Sequence, residues 1–300
     1  MFCWLETSGD ESFVYSLRKY KSKRGFETSR LEIVVLDPSR ITEPAFSSVH
    51  SNIIMSGTLQ PLEAYSKIAK LSENTVQKVV PAPFPKKHGL PLVCSDVTTA
   101  LEKRTPDMYR TIIEHTREVV LNTPANTGVF TASFWVLKTS RANEIENELP
   151  KPVLCEHRGM SSKDNENMVE ESKACSRHGG AMFLGAQGGR TSEGVNFPGD
   201  KMNSVVIVGV PYAEPTPKVK AQIDCFERCF PKRGRKHGYV IPSMKKASQA
   251  AGRPIGTLED RGAMFFLDFR FSLPYSRQFF PSWIRDNMRN VAEPQGIDCE

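Results

Sequence analysis

Ser248-Gln249-Ala250-Ala251-Gly252-Arg253-Pro254-Ile255-Gly256 closes a helical run that begins near Met244 and breaks it with a Gly-Arg-Pro turn. An arginine held at such a helix end is placed to meet a phosphate across a domain interface. Its planar guanidinium makes bidentate contact with phosphate oxygens and stays charged. The plainer reading is a helix C-terminal cation that satisfies carbonyls. Two earlier segments bear on the choice. Gly188-Gly189-Arg190-Thr191-Ser192-Glu193-Gly194-Val195-Asn196-Phe197-Pro198-Gly199 follows an apolar run at Ala181–Ala186. Open α/β sheets bind ligands where a strand delivers such a loop at its C-terminal end, and glycines let the backbone approach a phosphate. Met55-Ser56-Gly57-Thr58-Leu59-Gln60-Pro61-Leu62 supplies hydroxyls and backbone amides before a proline that opens a helix.

Around these segments the chain alternates. Leu31–Leu36, Asn52–Met55, Gly128–Thr131, Pro152–Cys155, Ala181–Ala186, Ser204–Val210 and Ala263–Asp268 read as strands. Helical spacing fits Pro61–Leu71, Pro106–Leu121, Phe134–Glu148, Ser161–Ala174, Pro217–Phe230, Pro242–Ala251 and Ser276–Arg289. Met108, Ile112, Ile113, Val119 and Val120 mark the apolar side of the second of these. Apolar strands separated by helices mean an α/β fold, a parallel sheet with helices on both faces. Residues 1–30 are polar and basic. In them Arg18-Lys19-Tyr20-Lys21-Ser22-Lys23-Arg24 admits either a solvated loop or a phosphate contact. Residues 74–97, punctuated by Pro81, Pro83, Pro85 and Pro91, read as a loop or insertion, Pro231–Gly238 as a flexible basic loop, and 291–300 as a tail.

Hydrophobic content of 39% and charged content of 25% suit a globular protein with a real core. A net charge of +6 permits a polyanionic partner without demanding one. The sequence has no apolar run long enough for a membrane span. Met1–Asp10 has no basic segment leading an apolar stretch, so a cytoplasmic location is expected. The seven cysteines form no Cys-x-x-Cys pair, which argues against a disulfide framework. Cys225 and Cys229 share a helix face and are expected to pack there as thiols. Cys155-x-His157 and Cys175-x-x-His178 fit no common zinc pattern, and no metal site is expected.

The three segments, in their order along the chain, resemble motifs III, V and VI of superfamily 2 helicases. The likeness is greatest to the XPD/DinG-like branch, its archaeal members above all. The patterns of that branch are Ser-Gly-Thr-Leu-x-Pro-Leu, Ser-Glu-Gly-x-Asp-Phe and Gln-x-x-Gly-Arg-x-Ile-Arg. The resemblance runs from about Leu31 to Arg289. It implies a RecA-like second motor domain over residues 31–290, from the C-terminal half of an ATP-dependent DNA helicase. Such an enzyme would move 5′ to 3′ on single-stranded DNA and act in repair. By the same resemblance Gln249 and Arg253 face ATP bound on the first motor domain, the arginine acting as an arginine finger. Gly252, Glu193 and Gly194 would couple the ATP site to DNA, and Ser56, Gly57, Thr58, Arg190 and Ser192 would touch nucleic acid. Thr58 also admits a plain role as the N-cap of the Pro61 helix. Phe130-Thr131-Ala132-Ser133-Phe134 resembles motif IV more loosely, with Ser133 at a phosphate or the phenylalanines simply in the core. Trp135, Trp283 and Tyr212 are able to stack on bases, but aromatics of this size are expected inside.

The chain also departs from the pattern. Asn196 stands where the family has Asp, and Gly256 stands where it has a second arginine, so one of two charged contacts to the γ-phosphate is gone. The nearest cations, Arg261 and Lys246, do not have the spacing to replace it. A Gly-x-x-x-x-Gly-Lys-Ser/Thr loop does not occur in these residues. ATP and Mg²⁺ are therefore expected to bind only with the N-terminal motor domain, missing or separately encoded, and the isolated chain is expected to be inactive. Family members often carry a four-cysteine iron–sulfur cluster in their first half; that spacing is absent here, and no cluster is expected. The departures keep a second reading open: a non-catalytic nucleic-acid-binding or regulatory module derived from a helicase.

Overall fold

The structure is a computed structural model of the chain. It describes residues 7–22, 25–142, 145, 149, 151–157, 159–189, 192, 197 and 199–292. The chain divides into two compact units, one built from Met1–Val79 and Ala213–Pro242, the other from Val80–Tyr212 and Ser243–Glu300.

The larger unit is built on a seven-stranded sheet ordered β5-β6-β4-β7-β8-β3-β9. Its strands are β3 (Gly89–Cys94), β4 (Thr127–Thr131), β5 (Val153–Cys155), β6 (Met182–Ala186), β7 (Ser204–Val208), β8 (Gly262–Leu267) and β9 (Arg289–Ala292). Every neighbouring pair runs parallel. All residues of β4, β6 and β7 are buried, so both faces of the sheet's centre are covered. Parallel neighbours need crossovers, and helices supply them. In α3 (Pro106–Asn122), Thr105 caps the N-terminus by accepting from the Met108 N–H, with Pro106 in the first turn. Tyr109, Ile112, Ile113, Thr116, Val119 and Val120 form its buried stripe. They meet Val129, Val206, Val208 and Leu267 of the strands and Val136 and Leu137 of α4 (Phe134–Ala142). Each such aliphatic side chain contributes about 1.5–3 kcal/mol on burial. In α5 (Ser162–Cys175) a capping box holds the start, with Ser161 and Asp164 as reciprocal partners.

The smaller unit holds an antiparallel hairpin of β1 (Phe13–Lys21) and β2 (Glu27–Val35), with α1 (Ser39–Ser47), α2 (Leu62–Ile68) and α6 (Pro217–Cys229). The Gln222 amide of α6 donates to the Leu36 carbonyl just past β2.

Most of the expected elements form, with five differences. Of the basic stretch around Tyr20, Arg18–Lys21 is strand rather than loop, because Phe13–Lys21 pairs residue by residue with Glu27–Val35, while Lys23 and Arg24 lie outside the described residues. Asn52–Met55 has no strand partner and lies exposed. Within 74–97, Gly89–Cys94 forms β3 and pairs with both β8 and β9 despite Pro91. The segment after Pro231 is not a loop throughout, for Lys236–Val240 winds as a π-helical turn leading into α7 (Ile241–Ala251). The single closing helix is instead α8 (Pro274–Arg277), α9 (Ser282–Arg285) and β9, because Pro281 cannot continue a helix begun at Pro274. Most of the expected continuation of α4 to Glu148 lies outside the described residues.

Candidate functional site

The glycine-rich loop leaves the C-terminal end of β6. Gln187, the first residue past the strand, donates its backbone N–H to Thr131 O at 2.9 Å. Its side-chain amide donates to Phe130 O at 3.2 Å and Gly209 O at 2.8 Å. One buried side chain thus ties together the ends of β6, β4 and β7. Gly188 follows with φ of +77°, a conformation open to glycine, and the Lys246 stem lies across it; a Cβ there would sit 3.1 Å from Lys246 Cδ. At Gly189 a Cβ would fall 2.7 Å from Glu156 Oε2 and 2.8 Å from Ala186 O. Gly188 is favoured by its positive φ and Gly189 by close approach, and the loop is held down onto a buried carboxylate. Ser192 is also buried, its hydroxyl donating to Gly189 O at 3.0 Å. Arg190, Glu193, Gly194 and Asn196 lie outside the described residues.

The Gln-x-x-Gly-Arg segment sits on α7 and the turn after it. Met244, Ala247, Ser248, Ala250 and Ala251 are buried, whereas Lys246, Gln249 and Arg253 are half-exposed. Lys246 and Gln249, three residues apart, share one face of α7, and Arg253 follows in the turn. Gly252 N–H donates to Ser248 O at 3.0 Å, turning the chain out of the helix. Arg253 Nε then donates to Ser192 O at 2.9 Å. Arg253 and Ser192 are therefore brought together, with the arginine of one motif anchored on the backbone of the other. Sequence spacing could not show that contact.

Gly256 is exposed and has no positive φ. Its N–H donates to Asp260 Oδ2 at 2.8 Å, beside the Thr257 N–H at 2.7 Å, while Gly199 N–H reaches Oδ1 at 3.0 Å. Burial pushes the Asp260 carboxyl up, but the N–H groups of Gly256, Thr257 and Gly199 outweigh it and hold the group below its ordinary value. Asp260 thus pins the turn after Arg253 to the end of the glycine-rich loop.

Ser133 lies just past β4, and its hydroxyl accepts from the Val136 N–H at 3.3 Å, capping α4. In the smaller unit, Ser56 and Gly57 are exposed, and Ser56 Oγ accepts from Thr58 N–H at 3.2 Å, a local hydroxyl turn. Thr58 is not the cap of the following helix; α2 begins after Pro61 and has no side-chain cap. Trp135 is 53% exposed, against the expectation of burial, while Trp283 and Tyr212 are half-buried. Reading the sequence missed Gln187 and Asp260 altogether. Lys246 was set aside on spacing, yet it lies three residues before Gln249 on the same helix face.

Among the described residues, one group of three side chains is close enough to hold a metal: Cys94, Asp96 and His115, with ligand atoms within 4.8 Å of one another. His115 Nε2 and Asp96 Oδ2 already pair at 2.7 Å, and burial, then the Asp96 charge, pushes the Cys94 thiol up to about 12. Cys155, His157, Cys175 and His178 do not converge on one point. Cys225 is buried but Cys229 is exposed, so only one of the two thiols packs inward. No helix among the described residues is long and apolar enough to cross a membrane.

Comparison with protein families finds the helicase C-terminal domain model matching residues 116–287, more than half of the chain. The chain belongs to the helicase C-terminal domain family. It is similar to the general transcription and DNA repair factor IIH helicase subunit XPD/RAD3 of Saccharomyces cerevisiae, 25% identical over 97% of this chain and 39% of the relative. The corresponding XPD subunit of Arabidopsis thaliana is 25% identical over 87% of this chain and 36% of its own length. A solved XPD helicase structure superposes with a TM-score of 0.70 at 20% identity, covering 97% of this chain and 49% of that one. The seven-stranded parallel sheet is thus the RecA-like sheet of XPD structures, and the domain is XPD-like. The chain spans less than half the length of these relatives.

Proposed function

We propose that this chain is the C-terminal motor domain of an ATP-dependent DNA helicase. It offers Arg253 and Gln249 to ATP held by a first motor domain, and its motif loops to single-stranded DNA. The single observation that supports this most is the Arg253–Ser192 contact, which couples the arginine to the loop that leaves β6. A phosphate contact made by Arg253 would be felt directly in that loop, and the reverse. Mg-ATP needs a phosphate-cradling Gly-Lys-Ser/Thr loop that these residues do not contain, so an N-terminal motor domain is the partner this reading requires. The resemblance extends the proposal to 5′-to-3′ movement and to a role in DNA repair.

The test is ATP hydrolysis stimulated by single-stranded DNA, measured on this chain joined to an XPD-type first motor domain. Hydrolysis above that of the first domain alone is expected. It should fall by about 10³-fold in Arg253→Ala, the scale of an arginine-finger loss. Equal rates for the wild-type and Arg253→Ala proteins would end the proposal. The exposed, uncharged Gly256 favours one other reading, a nucleic-acid-binding or regulatory module without motor activity. In that case DNA binding survives while no first domain restores hydrolysis.

A further inference from the structure

Trp135 stands in the first turn of α4, two residues beyond Ser133, and more than half of its surface faces solvent. Large aromatics are costly to leave in water, and this one is held in place rather than loosely draped. The Arg104 guanidinium carbon lies 4.7 Å from the ring centroid, and the Tyr109 ring packs against it in a T-shaped contact at 6.5 Å. Arg104 is itself fixed, with Nε donating to Thr99 O at 2.8 Å, and it has no carboxylate partner among the described residues.

The support behind Arg104 runs along the C-terminal ends of the central strands. Thr99 N–H donates to Asp268 Oδ2 at 2.8 Å, just past β8. Arg270 Nη2 donates to Thr99 Oγ1 at 3.1 Å and to Asp268 Oδ2 at 2.7 Å. The Arg270 guanidinium lies 5.7 Å from the Tyr212 ring centroid. Gly209, at φ of +78°, is what lets Thr99 come so close, since a Cβ there would fall 2.0 Å from Thr99 Oγ1. Asp268 is fully buried and pairs with Arg270. Of the two arginines that bond Thr99, Arg104 is thus the one whose charge is left for an outside partner. An exposed indole backed by an unpaired, anchored guanidinium suits a π-face with a phosphate beside it. Unpaired nucleobases offer that chemistry, and every base has such a face.

We propose that Trp135, backed by Arg104, is a stacking platform for one base of a single-stranded nucleic acid crossing this end of the sheet. The proposal rests on the nucleic-acid reading above and adds a binding element to it. Stacking gives affinity without sequence preference, and it depends on the base rather than the phosphate, which separates it from the loop contacts.

The experiment is fluorescence anisotropy with the full chain and two probes of equal length and charge, oligo-dT and an abasic oligonucleotide. Trp135→Ala is expected to weaken oligo-dT binding roughly tenfold, the scale measured for a lost base–aromatic stack. It should leave abasic binding and the salt dependence unchanged. Trp135→Phe should stay within about threefold of the wild type, because a stacking face remains. Equal oligo-dT affinity for the wild type and Trp135→Ala overturns the platform alone. Equal weakening on both probes also overturns it, since the loss would then be general. Failure of the wild-type chain to bind either probe at low salt overturns the nucleic-acid reading and the platform with it.

Discussion

Gly256 is the residue at which this chain differs most tellingly from the helicase pattern, and its surroundings say what the difference costs. The position is exposed, with no positive φ, and its N–H is engaged with Asp260. Its φ does not demand glycine. Gly256→Arg is therefore expected to fold normally and, joined to a first motor domain, to raise ATP hydrolysis by an order of magnitude or more. Steady-state hydrolysis would show it, and an unchanged rate would mean that the missing charge is irrelevant here. Asp260 carries a different load. It is 4% exposed and accepts three backbone N–H groups, so Asp260→Ala should cost about 3 kcal/mol in denaturant unfolding. Its folded pKa lies below the ordinary carboxylate value of 3.8, so its contribution is complete above that pH. The contribution disappears as pH falls through the lowered folded value. The difference in stability between wild type and Asp260→Asn should narrow in that acid window; a gap independent of pH would refute the assignment.

At the scale of elements, the strands of the sheet's centre were legible because each is buried on both faces and so is apolar throughout. The helices α3, α6 and α7 were legible from periodicity and from prolines in or beside their first turns. What could not be read was pairing. Phe13–Lys21 is too polar to announce a strand, and its hairpin partner supplies the reason for its conformation. β3 was hidden among prolines, and Pro91 is tolerated there between β8 and β9. For the site, the arginine and the glycine-rich loop were visible as motifs, whereas Gln187 acts through Phe130 and Gly209 and Asp260 reaches Gly199, backbone groups far away in sequence. The loop itself makes a sharp test. Gly189→Ala places a methyl on the Glu156 carboxylate and the Ala186 carbonyl, so the loop must move. A lower melting temperature together with weaker single-stranded DNA binding is expected, and a neutral result in both would deny the loop its role. In the smaller unit, His237 is buried beside Phe230, and burial, then Lys236 and Arg233, pull its pKa below 6.5. Neutral His237 stabilises the fold above pH 6.5, and that share is lost as pH falls toward the lowered folded value. His237→Phe should flatten the pH dependence of thermal melting below about pH 6.5; an unaltered profile would show that other groups set it.

For the whole molecule, the family and the RecA-like sheet agree with the motor-domain proposal, while the net charge of +6 leaves the proposed nucleic-acid contact to local groups. Two compact units stand where residues 31–290 read as one domain, because Ala213–Pro242 packs with the N-terminal part of the chain. The central claim is that this chain carries phosphate-backbone contacts of its own. The measurement that tests it most directly is single-stranded DNA binding by the isolated chain across a salt series. Affinity should fall steeply as salt rises, with a log–log slope of about −2 to −3.5 for three to five phosphates. No binding at low salt, or binding indifferent to salt, would contradict the account.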